Sequence, residues 1–259
     1  MAGNEMRDRA QAGREQQQAQ QRRDKLIGIV GGVVVAAVVV GIIVAAVVAK
    51  NNKQSGASAK LPTGVVKGDF GVSYGNPKPG APTVELFEDF QCPACAMFEP
   101  VNGSRLISWA KEGKIKLVWR PAAFLDDAKA AENQAAGNPN STKRATAAWG
   151  CAIDAGKAAE YHSAIFRNQP KTEGEGYSDV TLLTLGSQIV PSNKIKSFAD
   201  CVNNNTYYDW AVASNQVFNN RGISSTPTLL INGKEQKAEV TFDPTGKALL
   251  AAIEAATKK

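Results

Sequence analysis

Hydrophobic and polar positions divide this chain into a polar start, one long uncharged apolar stretch, and a region where strand and helix patterns alternate. Residues 83–90 read as a buried strand, with Val84, Leu86, Phe87 and Phe90 as its apolar positions. Over residues 93–112, Met97, Phe98, Val101, Leu106, Ile107 and Trp109 recur at helical spacing. Residues 115–119 predict a second strand. Residues 65–74 predict short strands broken by Gly68 and Gly71, and Asn76-Pro77-Lys78-Pro79-Gly80 a loop. From about residue 141 to 221 the period is helical. Residues 228–231 then predict a strand, Asn232-Gly233 a tight turn and residues 238–241 a return strand. A last helix is expected over residues 244–257, with Asp243 as N-cap and Pro244 at its first position. The order is β–α–β, a helical block, then β–β–α, so the block, at about residues 135–222, is read as inserted into one sheet domain of the α/β class.

The switch from the first strong strand to its helix carries Cys92-Pro93-Ala94-Cys95. Residues three apart on a helix lie on one face, with Cβ atoms about 5–6 Å apart, near the separation a disulfide needs. Cys92 falls at the helix cap, where unpaired N–H groups and the helix dipole favour a thiolate. Pro93 costs nothing at the first helical position. Cys95 lies one turn in, less exposed, as the resolving thiol. The dipole contributes at most about 2 kcal/mol, roughly 1.5 pKa units. A strongly lowered thiol pKa therefore needs hydrogen bonds from backbone groups and from Cys95. Zinc would need four ligands. Cys151, Cys201 and the single His162 form no second close pair, and a copper-carrying site lacks imidazoles for the same reason. No metal site and no cofactor are read.

Residues 26–48 are 23 residues without a charge: ten Val, four Ile, four Ala, four Gly and one Leu. As a helix they would span roughly 34 Å, enough for a ~30 Å hydrocarbon core. This is longer than the ~7–15 residues of a signal-peptide core, and no small-residue cleavage pattern directly follows, so an uncleaved signal anchor is expected. Arg7, Arg9, Arg14, Arg22, Arg23 and Lys25 precede it, against Lys50, Lys53 and Lys60 after it. This bias puts the N-terminus in the cytoplasm and the catalytic region outside the cell membrane. All four cysteines then lie where disulfides persist. Gly28-x-x-x-Gly32 is expected by chance in so Gly-rich a run, and a monomer is read. Residues 1–25 form a Gln/Arg-rich cytoplasmic tail and residues 49–63 a linker. The net charge of +6 is too diffuse to suggest nucleic acid.

Over roughly residues 64–257 the chain resembles the DsbA-like thiol–disulfide oxidoreductases, of the membrane-anchored kind found in Gram-positive bacteria. The residues that carry the resemblance are Phe87-Glu88-Asp89-Phe90-Gln91-Cys92-Pro93-Ala94-Cys95, Tyr161-His162-Ser163-Ala164-Ile165-Phe166-Arg167-Asn168-Gln169-Pro170 and Ser224-Ser225-Thr226-Pro227-Thr228. The resemblance implies a thioredoxin core with an inserted helical domain, attack at Cys92, resolution by Cys95, and a cis Pro227 facing them. It implies that the backbone of Thr226 pairs with an extended substrate peptide. It also implies reduced, unfolded exported proteins as substrates and a quinone-linked membrane oxidase of the DsbB or VKOR type as electron acceptor. Enterobacterial relatives carry His between the cysteines. Here Ala94 has no side-chain hydrogen bond to give. The carboxylate that assists proton transfer in thioredoxins falls at Leu86, with Glu85, Glu88 and Asp89 as nearby candidates. His162 is read as a packing or capping residue, with a proton shuttle as the alternative.

Cys151 and Cys201 lie in the helical block, outside the cell by the topology above. A structural disulfide closing about 50 residues would stabilise by roughly 4 kcal/mol. The alternative is a second redox relay. Oxidation of exported proteins is the leading function, against a reductase or isomerase using the same couple, and against an anchored peptide- or metal-binding module without catalysis.

Overall fold

The computed structural model describes residues 59–257. The expected tail, the anchor at residues 26–48 and most of the linker lie outside the described residues, among which no helix is long and apolar enough to cross a membrane. Two strands, β1 (Val72–Tyr74) and β2 (Thr83–Asp89), lead into α1 (Pro93–Phe98), a π-helical turn (Glu99–Gly103) and α2 (Ser104–Lys111). After β3 (Lys116–Ala122) the chain enters seven helices: α3 (Leu125–Ala128), α4 (Ala130–Ala135), α5 (Ser141–Asp154), α6 (Ala158–Arg167), α7 (Asp179–Ile189), α8 (Ile195–Asn203) and α9 (Tyr208–Asn220). It returns through β4 (Thr228–Ile231), β5 (Lys234–Glu235), α10 (Ala238–Thr241) and α11 (Lys247–Thr257).

The five strands form one sheet in the order β1-β3-β2-β4-β5. β2 pairs parallel with β3, as Leu86 with Trp119, and antiparallel with β4, as Leu86 with Leu229. A central strand covered on both faces has no polar side to show, which is why every residue of β2 after Thr83 is buried. The helical block leaves the sheet after β3 and returns into β4, so the mixed α/β sheet domain does contain an inserted helical unit.

Sheet and insertion share one core. Trp119 of β3 meets Trp149 of α5 edge-on, with ring centroids 5.7 Å apart, and Trp149 in turn packs on Trp210 of α9. A disulfide joins Cys151 of α5 to Cys201 of α8. Both helices belong to the insertion.

Four local expectations are corrected. Residues 238–241 are helical, not a return strand. Asn232 and Gly233 both adopt positive φ, 48° and 78°, closing a two-residue hairpin that pairs Ile231 with Lys234 and Leu230 with Glu235. In that register Ala238 lies past the first residue of β4 and has nothing to pair with. The helix expected over residues 93–112 is interrupted at Glu99–Gly103, where Pro100 supplies no N–H. Before Val72 the chain makes turns rather than strands, with Val65 N–H on the Pro62 carbonyl and Phe70 N–H on that of Val66. The last helix begins at Lys247, and Pro244 is not in it. Asp243 nevertheless accepts the Ala248 N–H at 2.8 Å and so caps it across Gly246.

Candidate active site

β2 delivers the chain to the helix start through a short turn, in which the Cys92 N–H reaches the Asp89 carbonyl at 2.9 Å. Cys92 is the N-cap of α1 and Pro93 its first residue. The turn is held from the loop between α6 and α7. Gln169 donates to the carbonyls of Phe90 and Cys92, at 2.8 and 3.0 Å, and the Tyr177 hydroxyl also reaches Phe90 O. Gln91 points inward, its amide nitrogen among Asp126, Asn133 and Thr142.

Facing the cysteines is the Thr226–Pro227 peptide, which is cis. The Cys92 thiol donates to the Thr226 carbonyl at 3.2 Å. Cys92 is 8% exposed and Cys95 completely covered, and the two are free thiols. A hydrogen bond from the Cys95 thiol holds Cys92 down to about 6. Burial opposes this, and the Thr226 hydroxyl and the N–H groups of Cys95 and Ala94 reinforce it. Burial, and its donation to Cys92, push Cys95 well above the usual thiol range. Pro93 and Ala94 contribute no side-chain group. Ala94 acts through its backbone N–H, so the lack of a donor between the cysteines is met by the helix start itself.

This asymmetry gives a direct expectation. In the reduced protein, thiolate absorbance and the rate of iodoacetamide labelling rise with a midpoint near pH 6. The transition is absent in Cys92→Ala. A midpoint near the ordinary thiol value of ~8.5 would refute the assigned role of the Cys95 hydrogen bond.

The three candidate carboxylates separate by role. Glu85 is ion-paired with Arg120 and Arg221, at 2.7 and 2.6 Å. Burial raises its pKa, but the two guanidinium groups outweigh this and keep it low. Asp89 accepts the N–H groups of Gln91 and Leu125 and the Thr142 hydroxyl. Burial still lifts it to about 8. Glu88 alone acts on the charges of both cysteines, and burial pushes its carboxyl far up.

Glu88 has company that the sequence did not point to. The π turn swings Glu99 inward, and its carboxylate lies where a Cβ on Gly103 would sit, 2.3 Å away. His162 lies between the two acids, Nε2 3.2 Å from Glu88 and Nδ1 3.8 Å from Glu99. Its ring packs on Trp119, Trp149, Phe90 and Phe166, so the packing expectation describes the ring and misses its two nitrogens. Burial lowers the His162 pKa and keeps it neutral. Burial, together with Glu88, lifts Glu99 to about 8.

Behind the turn, two buried carboxylates cap helices they do not begin. Asp89 receives Leu125 N–H next to the start of α3, while Asp126 receives the N–H groups of Thr142 and Lys143 in the first turn of α5, at 2.8 and 2.9 Å. Asp126→Asn keeps one acceptor and turns an NH2 group toward these donors. A loss of about 2 kcal/mol is expected, lowering the melting midpoint by roughly 4–8 °C. An unchanged melting curve would refute the capping role. Neither Asp126 nor Asn133 had any periodic or motif signal. Only Gln169, inside the stretch that carries the family resemblance, was within reach of sequence reading.

Residues 69–251 match the family model described as Thioredoxin. No curated protein sequence matches the chain. Among solved structures, the chain is similar to the MdbA protein of Actinomyces oris, a thiol-disulfide oxidoreductase, at 18% identity and a TM-score of 0.61, over 79% of this chain and 96% of that one. It is similar to oxidised BdbD of Bacillus subtilis at 18% identity and a TM-score of 0.59, over 78% and 98%. It is also similar to the reduced disulfide bond oxidoreductase DsbG of Mycobacterium tuberculosis at 25% identity and a TM-score of 0.57, over 75% and 90%.

Proposed function

Because the chain belongs to the thioredoxin family, we propose that it is a thiol–disulfide oxidoreductase that introduces disulfide bonds into exported proteins through Cys92 and Cys95. The observation that carries this reading is the unequal pair: a Cys92 thiol held to about 6 at a helix start, hydrogen-bonded to its partner and facing Thr226 O at 3.2 Å. A binding groove has no need of such a pair. Two of the similar structures are themselves thiol–disulfide or disulfide bond oxidoreductases, which supports the same reading.

The reaction begins from the Cys92–Cys95 disulfide. A substrate thiolate attacks Cys92 Sγ, forming a mixed disulfide and releasing Cys95 as a thiolate that takes up a proton. A second substrate thiolate then attacks the substrate sulfur of the mixed disulfide and expels Cys92 as a thiolate. The substrate loses two electrons, which the pair retains as the dithiol. The low pKa of Cys92 makes it a good leaving group in the second step. It also favours the reduced pair. At pH 7 a thiol of pKa about 6 is about nine-tenths ionised, which shifts the equilibrium toward the dithiol about tenfold, or ~30 mV for a two-electron couple. The Thr226 backbone pairs with the extended substrate.

The surroundings follow the same reading. Residues 26–48 act as a single-pass anchor with the N-terminus cytoplasmic, supported by 23 uncharged residues and by the Lys and Arg bias before them. The domain works as a monomer outside the membrane, where the cysteines can stay oxidised, and passes its electrons to a quinone-linked membrane oxidase of the DsbB or VKOR type. The test is oxidation of reduced, unfolded ribonuclease by the oxidised full-length chain. Rapid oxidation that vanishes in Cys92→Ala supports the proposal. Efficient insulin reduction with no ribonuclease oxidation would replace it with a reductase.

A further inference from the structure

We infer that Glu88, Glu99 and His162 form a binding site for one divalent cation, zinc by preference, directly behind the cysteine pair. One ligand atom from each of the three side chains lies within 4.8 Å of the others. All three side chains are more than nine-tenths buried. Four of their polar atoms, both oxygens of Glu88, Oε1 of Glu99 and Nδ1 of His162, have no hydrogen-bond partner. Buried polar atoms are ordinarily paired, and leaving one unpaired costs roughly 1–3 kcal/mol. A proton on one acid, donated to the other, meets part of this need but leaves one buried carboxylate charge unbalanced. A dipositive ion balances two carboxylates and takes one lone pair from each residue.

The donor set selects the ion. Two carboxylate oxygens and one imidazole nitrogen suit zinc, which takes three protein ligands and a water where its site is not purely structural. At zinc–ligand distances of ~2.0–2.2 Å, tetrahedral ligands sit roughly 3.3 Å apart. Glu88 and His162 are already at 3.2 Å. Glu99 faces the other ring nitrogen, 3.8 Å from Nδ1, so its carboxylate must swing round to the Nε2 side to share an ion with Glu88. A void of about 10 Å³ bounded by Glu88, His162, Phe90, Trp119, Arg120 and Trp149 adjoins the cluster, about the space one water occupies. The aromatic walls exclude competing solvent. Glu88 is coupled by charge to Cys92 and Cys95, and neither cysteine is among the three ligands. The site is thus independent of the direction in which the cysteine pair works.

The test uses the full-length chain carrying Cys92→Ala and Cys95→Ala, produced in zinc-supplemented medium so that the site loads during folding, then desalted. About one zinc per chain is expected, with an X-ray absorption spectrum showing nitrogen and oxygen ligands and no sulfur. Adding Glu99→Gln or His162→Ala lowers the retained zinc at least about tenfold. Melting curves show which variants fold, and the near-isosteric Glu99→Gln serves if His162→Ala does not. Absence of zinc from the parent, retention of zinc only when the cysteines are present, or retention unchanged in folded Glu99→Gln would each overturn the assignment. None of these outcomes bears on ribonuclease oxidation, which tests the oxidoreductase reading separately.

Discussion

Cys95→Ala removes turnover and leaves Cys92 trapped on its substrates. Without Cys95 no internal disulfide exists to pass on, so oxidation of reduced ribonuclease falls to the uncatalysed rate. Cys92 still attacks substrate disulfides, releasing one substrate thiol and forming a mixed disulfide, and nothing nearby can resolve it. Cys95 is completely covered and is the first cause of the lowered Cys92 pKa. The same substitution therefore raises that pKa from about 6 and slows the attack near neutrality. Non-reducing electrophoresis and mass spectrometry of the adducts, with thiolate absorbance against pH, check both effects. Turnover surviving in Cys95→Ala would point to a different resolving thiol. Cys151 and Cys201 are the only other cysteines in the chain, and they are already joined to each other.

That bond carries the second large effect. Cys151 and Cys201 are separated by 50 residues, so replacing both with alanine returns to the unfolded chain a loop entropy of about 4 kcal/mol. In a domain of about 200 residues, the melting midpoint should fall by roughly 8–16 °C. Cys151 belongs to the same buried core as Trp149, so the insertion loosens first, and with it the side chains of Gln169 and Tyr177 that hold the Cys92 turn. Calorimetry on the double variant gives the midpoint. An unchanged midpoint would show that packing alone holds α5 to α8, and would remove the structural role from this pair.

The sequence was informative where a local pattern has only one physical use. A strand pattern carrying Val84, Leu86, Phe87 and Phe90 with a Cys-Pro-x-Cys at its end is a strand feeding a helix cap, because proline suits the first helical position and few others. Asn232-Gly233 marked the hairpin for a similar reason, since both residues tolerate positive φ. The return strand starts at Lys234 and not at residue 238, because a two-residue turn sets the register at once. The Pro100 interruption was visible in principle. Its helical neighbours on both sides concealed it.

The supporting residues of the site are another matter. Glu88 and Asp89 are adjacent acids at the end of one strand and look equivalent in the sequence. Because successive residues of a strand point to opposite faces, Glu88 meets His162 and Glu99, whereas Asp89 meets Leu125 and Thr142. Asp126 looks like one of two surface acids in a short helix, yet it caps α5 and braces Gln91. By itself the sequence determined the cysteine pair at a helix start and the core strands, both of which depend on neighbours a few residues apart. Only the tertiary structure decided which acids face the thiols, which cap helices and which are held by arginine. Those assignments depend on residues brought together across the sheet and the insertion, where burial makes every unpaired polar group costly and so gives each carboxylate a distinct partner.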